Sequence, residues 1–253
     1  MRRAHSQEVS AARVVLVLAH PDDELIVGGT ASRLSSAGSE VTLVCATNGA
    51  GGAGRLQHGP DELADLRYRE LQSSCQILGI QDLVMLEQRG GAAPLGQRNY
   101  RDVMGQHEEM VLDVLDQVGP ELVVTFGPDG ITGHPTHVMV GQVARRAARR
   151  LSVAPDVLQV AYSLDTVAAI RAWVRSHPDV WAAYEEQVAK TPNVGTMELD
   201  LFPLPEVSLD IIVDVSAQRD TRIAAARCHV SQGGDGYLQA FLASDLECFS
   251  RPG

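Results

Sequence analysis

A chain of 253 residues, 45% hydrophobic and 21% charged, is long enough to bury a substantial core. Only 4% of the residues are aromatic, so that core must rest on Val, Leu, Ile and Ala. A net charge of −11 argues against nucleic acid or an anionic membrane as the main partner, because both select basic surfaces.

Residues 14–19 and 41–46 read as buried strands, separated by a helix over about residues 23–36. Gly28 and Gly29 would let that helix approach the sheet closely. A helix over 61–78, a short strand over 83–86 and a Gly/Gln/Arg-rich loop over 87–99 come next. The helix over 103–118 carries Val111, Val114, Leu115 and Val118 as its apolar stripe. A strand over 121–126 ends at "GPDG", and a helix over 135–151 presents Val140, Ala144, Ala147 and Leu151 on one face. A strand over 158–163, a helical stretch over 166–190, an irregular Pro-containing segment over 191–206, a strand over 208–215 and a helix over 217–229 complete the reading.

This β-α-β-α rhythm predicts a doubly wound, mostly parallel α/β sheet with helices on both faces, Rossmann-like, in one domain over 1–253. Cys45, Cys75, Cys228 and Cys248 form no CxxC and read as buried thiols of a cytoplasmic protein, although Cys228 and Cys248 could pair. The apolar run near the N-terminus is too short to span a membrane and is used as a strand, and no export signal is visible.

In such folds ligands sit beyond the carboxyl ends of the strands. After the first strand come His20, Asp22, Asp23 and Glu24, after the second Thr47 and Asn48, and after the strand over 121–126 Asp129, His134 and His137. Crowded acids at a buried strand end are costly unless a positive charge sits among them. A divalent cation answers this: His20 and Asp23 supply two ligands, and His137, one turn before Val140 on the buried stripe, supplies the third. Their donor atoms should then meet at one point about 2.0–2.2 Å away. Asp22 remains uncoordinated, as a general base should be, and His134 can donate to a developing oxyanion or a leaving nitrogen. Zn²⁺ suits these ligands, and Fe²⁺ or Co²⁺ could occupy them. Together the groups make a machine for amide hydrolysis. Glu24 reads as a first-turn acid favoured by the helix dipole.

"AHPDDE", followed about 110 residues on by "GPDGITGHPTH", resembles the LmbE-like, or PIG-L, N-acetylglucosaminyl deacetylases. "ATNGAGG" resembles that family's Thr-x-Gly turn, "RYREL" (Arg67 to Leu71) its Arg-x-x-Glu-Leu helix, and "CHVSQ" (Cys228 to Gln232) its late His-x-Ser-Gln. The resemblance implies a zinc enzyme that removes acetyl from an N-acetylated amino sugar, a small-molecule substrate; a homo-oligomer stays open. It implies His20, Asp23 and His137 as ligands, Asp22 as base and His134 as oxyanion stabiliser or acid, with Arg67 on the substrate side. Many relatives read His-Pro-Asp-His where this chain has Thr136, and carry an aromatic residue where it has Thr132. A hydroxyl supplies no charge, so His134 should protonate less readily unless Asp129, also assigned to the substrate side, takes over.

Rival readings are an amidase of the same chemistry acting on another amide, such as a thiol conjugate, and a non-catalytic metal-dependent glycan binder. A receiver-like domain would leave His134 and His137 without a purpose. "GAGGAG" over 49–54 matches a dinucleotide fingerprint but does not open a helix, and "HEEM" at His107 lacks the second histidine of a zincin.

Overall fold

Val-rich runs form strands because both sheet faces are covered, and the longer amphipathic segments between them form the covering helices. The computed structural model describes residues 12–52, 58–87, 100–189, 203–204, 208–233 and 236–252. Its strands are β1 (Arg13–Leu18), β2 (Glu40–Cys45), β3 (Asp82–Met85), β4 (Leu122–Phe126), β5 (Asp156–Ser163), β6 (Pro203–Leu204), β7 (Ile211–Asp214) and β8 (Leu246–Ser250). Its helices are α1 (Gly28–Ser36), α2 (Pro60–Leu78), α3 (Tyr100–Val118), α4 (Pro135–Arg150), α5 (Leu164–Ser176), α6 (Pro178–Ala189) and α7 (Arg219–Arg227).

The sheet runs β3-β2-β1-β4-β5-β8-β7, with β6 paired to the end of β5. From β3 to β5 every pairing is parallel; β8 runs antiparallel to both β5 and β7. Helices α3 and α4 pack on one face, and α1, α2 and α7 on the other. The core follows the central strands: Val14 to Ala19 and Val41 to Ala46 are almost wholly buried, joined by Val111, Leu115, Val140, Ala144 and Ala147. Chain order reverses between β1 and β4, and the crevice opens there.

Several expected elements differ in detail. The helix expected from residue 23 begins as a 3₁₀ turn over Asp23–Val27 before α1. A Cβ on Gly29 would lie 2.5 Å from the Val215 Cβ, so close approach does require glycine there. The single stretch expected over 166–190 breaks into α5 and α6, because Pro178 disfavours helical geometry at His177 (φ −129°, ψ 57°). The helix expected over 217–229 divides into a 3₁₀ turn over Ser216–Gln218 and α7. Of the two loops over 87–99 and 191–206, only Glu87, Pro203 and Leu204 fall among the described residues, and "GAGGAG" is described as far as Gly52. All four cysteines are free thiols, so Cys228 and Cys248 do not pair. No helix among the described residues is long and apolar enough to cross a membrane.

Candidate functional site

The chain leaves β1 at Ala19 and turns sharply. Asp23 folds back so that its Oδ2 accepts the amides of Ala19 (3.2 Å) and His20 (2.7 Å) at the strand end. His20 Nδ1 lies 3.3 Å from that same oxygen, and His137 Nε2 lies 3.4 Å from Asp23 Oδ1. The two ring nitrogens are 3.1 Å apart. His137, in the first turn of α4, stacks on Phe126 (centroids 4.2 Å, planes 8° apart) and sends Nδ1 to the Gly130 carbonyl at 3.0 Å. That bond places the proton on Nδ1 and leaves Nε2 as a lone pair turned toward His20 and Asp23.

His20 Nδ1 and His137 Nε2 therefore lie 3.1 Å apart, and the two oxygens of Asp23 face them separately, Oδ2 at 3.3 Å from His20 and Oδ1 at 3.4 Å from His137. Bonds of about 2.0–2.2 Å to a tetrahedral ion would put neighbouring donors about 3.3–3.6 Å apart. The donor set and its spacing fit a small divalent cation. A ring nitrogen of His134 also lies within 4.8 Å of those of His20 and His137, so three imidazoles surround the point. Burial opposes the charge on Asp23, but His137 and His20 outweigh it and hold the carboxyl well below the usual carboxylate range.

Asp22 has backbone angles φ 132° and ψ −17°, a region that side chains with a Cβ avoid at a cost of about 1–3 kcal/mol. The strain lets neighbouring acids part company. Asp23 turns back to the strand, while Asp22 Oδ2 receives Arg67 NH2 at 2.9 Å and keeps 17% of its side chain accessible. Burial raises the Asp22 pKa, with Arg67 opposing and Asp23 reinforcing the rise. Arg67 itself is buried. Its guanidinium also donates to the carbonyls of Pro21 and Gly49. Gly49 (φ 72°) turns the loop after β2 against it.

Glu24 is a first-turn acid of the 3₁₀ turn, as the dipole argument expects, and it faces inward. It is completely buried, and both carboxylate oxygens are occupied. Oε2 accepts the Asp22 amide (3.0 Å); Oε1 accepts the Ser74 hydroxyl (2.6 Å) and faces His229 Nε2 (2.6 Å). His107 is likewise buried within α3 and forms no part of the cleft cluster.

Between β4 and α4 the chain makes an unusual turn. Gly130, Ile131 and Gly133 all have positive φ, and Thr132 N–H donates to Gly130 O at 2.7 Å. A β-branched residue at φ 67° is strained, and the turn it makes aims the Gly130 carbonyl at His137. Asp129 is spent on this turn: its Oδ1 accepts Ile131 N–H at 3.2 Å. Among the described residues no hydrogen bond or ion pair joins it to His134. His134 caps α4, its Nδ1 accepting the Thr136 amide at 3.3 Å. The neutral ring therefore carries its proton on Nε2. Burial chiefly, then His20 and His137, lowers its pKa to about 4, the direction expected for the reduced protonation.

His229 and Ser231 belong to a stretch that the sequence marked without a role. Ser231 donates from its amide (2.8 Å) and its hydroxyl (2.6 Å) to Glu70, one turn after Arg67 on α2. "RYREL" and "CHVSQ" thus clasp one another beneath the cleft. The pairing of acids and hydroxyls hints at mutual support, but no spacing rule links segments this far apart.

Known structures with this arrangement of strands have different activities. The N,N'-diacetylchitobiose deacetylase of Pyrococcus horikoshii superposes with a TM-score of 0.56 at 23% identity, covering 87% of this chain and 71% of that one. The 4-carboxy-2-hydroxymuconate hydratase of Pseudomonas putida gives 0.64 at 15% identity over 94% and 95%. These likenesses establish the fold. In sequence, a 1D-myo-inositol 2-acetamido-2-deoxy-alpha-D-glucopyranoside deacetylase of Saccharomonospora viridis is 32% identical over 237 residues, 87% of this chain and 84% of that protein. The family model described as GlcNAc-PI de-N-acetylase matches residues 15–148, from β1 into the last turn of α4. With just over half its length matched by that model, the chain belongs to the PIG-L family.

Proposed function

We propose that this chain is a metal-dependent hydrolase that removes the acetyl group from an N-acetylated amino sugar conjugate. A 2-acetamido-glucosyl inositol is the substrate class best supported, since relatives with that name align over most of the chain. His20, Asp23 and His137 would hold the ion, and their two imidazoles and one carboxylate suit Zn²⁺. Bound there, it would supply Lewis acidity and lower the pKa of a water towards about 7.

Asp22 is the proton acceptor for the attacking water. Its carboxylate lies close enough to Asp23 and His20 to feel their charges, and its raised pKa favours holding a proton. The same proton is then at hand for the departing nitrogen. Arg67, expected on the substrate side, orients Asp22: its guanidinium donates to the Asp22 carboxylate and to two carbonyls. Neutral His134 donates from Nε2 to the acetamide oxygen as that atom gains charge. Water and amide are consumed; acetate and a free amine leave. The four free thiols agree with a reducing compartment, the cytoplasm, as the working site of a single domain over 1–253.

The observation that carries the reading is the gathering of the His20, His134 and His137 rings at one point, with the Asp23 carboxylate against His20 and His137 and Asp22 held by Arg67. Metal-stripped and zinc-restored protein should be assayed for acetate release from an N-acetylglucosaminyl inositol, N,N'-diacetylchitobiose and N-acetylglucosamine. Release from the inositol conjugate should require restored metal. Asp22→Asn should lower the rate about 10²–10⁴-fold while binding one zinc as before. Absence of release from every substrate would end the hydrolase reading, and an unaffected Asp22→Asn variant would point to a binder.

A further inference from the structure

The strained backbone of Asp22 has to be held by something. We propose that Glu24, clamped from behind by His229 and Ser74, is a positioning residue that keeps Asp22 in its left-handed conformation. The inference rests on the reading of Asp22 as proton acceptor, but the clamp itself is a matter of conformation.

A buried carboxylate is costly unless its oxygens are paired, and those of Glu24 are. One oxygen serves the Asp22 amide; the other is pinned by Ser74 from α2 and by His229 from the segment after α7. Since both partners of Oε1 are themselves buried, the carboxylate has no freedom to follow Asp22 should that residue relax. Arg67 grips the opposite side of the same turn through the Pro21 carbonyl and the Asp22 carboxylate. Relaxation of Asp22 toward ordinary φ would break the hydrogen bond from its backbone N–H to Glu24 and leave a buried carboxylate oxygen unmatched. Among the described residues Glu24 has no hydrogen bond or ion pair to another group of the cleft cluster, so its effect reaches the chemistry through Asp22.

Length and acceptor matter to such a clamp more than charge does. Glu24→Gln keeps the reach and one oxygen for the Asp22 amide, while its amide group can face Ser74 and His229 Nε2 in the other tautomer. Glu24→Asp keeps the charge but is one methylene short of spanning both. In zinc-restored enzyme, Glu24→Asp should lower kcat about 100-fold with KM changed less than about 3-fold, and Glu24→Gln should stay within about 5-fold of wild type. A role exerted through charge would reverse that order and overturn the proposal.

The conformation is tested without activity, by thermal melting of metal-free protein. Asp22→Gly and Asp22→Ala both remove the carboxylate, and only Gly accepts the enforced φ without strain. Asp22→Gly should therefore melt above Asp22→Ala in the otherwise wild-type chain, and the order should vanish or invert beside Glu24→Asp. Ala melting at or above Gly in the wild-type background overturns the proposal, also where Glu24→Asp does not fold. Should no acetamido sugar be hydrolysed, the functional reading fails while the melting order still decides the clamp.

Discussion

His134 owes its orientation to a backbone amide. The Thr136 N–H reaches its Nδ1 at 3.3 Å, and the threonine hydroxyl has no hydrogen bond to the ring among the described residues. Thr136→Ala should accordingly change kcat by less than about 3-fold, whereas a loss of about tenfold or more in steady-state rates would give the hydroxyl a role. The helix start fixes the tautomer with the proton on Nε2, the opposite of the one that a carboxylate accepting from Nδ1 would hold. It does so without adding negative charge, in keeping with the lowered His134 pKa. His20, Asp22, Asp23, His134 and His137 were legible in the sequence because each falls just after a strand that periodicity marks clearly. The position of Glu24 in a first turn was legible, but its buried partners were not, because they are Ser74, 50 positions on, and His229, 205 positions on. Local dipole reasoning has no access to such partners.

At the scale of elements, α1 illustrates how a helix start is stabilised from afar. Its side-chain caps are lacking locally, and Glu247 on β8 accepts the amides of Gly29 and Thr30, both at 2.8 Å. Arg222 of α7 lies 3.4 Å from the same carboxylate, and both side chains are buried. Replacing Glu247 with Ala removes the cap and strands a buried guanidinium, so urea unfolding should register a loss of about 3–5 kcal/mol. The long amphipathic helices and the buried strands β1, β2, β4 and β5 could be read from periodicity. The strand β8 could not, because Leu246 to Ser250 mixes acid, thiol and hydroxyl in a short run whose burial depends on β5 and β7 flanking it. Likewise the break before Pro178 is local chemistry that the apolar pattern on either side conceals.

Across the whole molecule, the order β3-β2-β1-β4-β5 puts the ends of β1 and β4 side by side, which is why segments far apart in the chain meet in one crevice. The underside of that crevice also carries a pH signature. Burial disfavours a charged His229, but Glu24 outweighs it and raises the pKa above the ordinary 6.5. The folded chain then binds more protons than the unfolded chain at pH values between the two. That stabilisation is full below about 6.5 and is lost as pH climbs through the folded value. Urea midpoints should therefore decline over this range, and His229→Gln should flatten the decline; an identical slope in both proteins would remove His229 as its source. A last consequence concerns exchange of parts between relatives. The stretch over 15–148 holds every proposed ligand, yet the braces for Glu24 and for the start of α1 come from His229 and Glu247. Chimeras that graft a foreign tail onto this head should keep their metal-binding side chains and lose the alignment between them, unless the bracing residues travel with the graft.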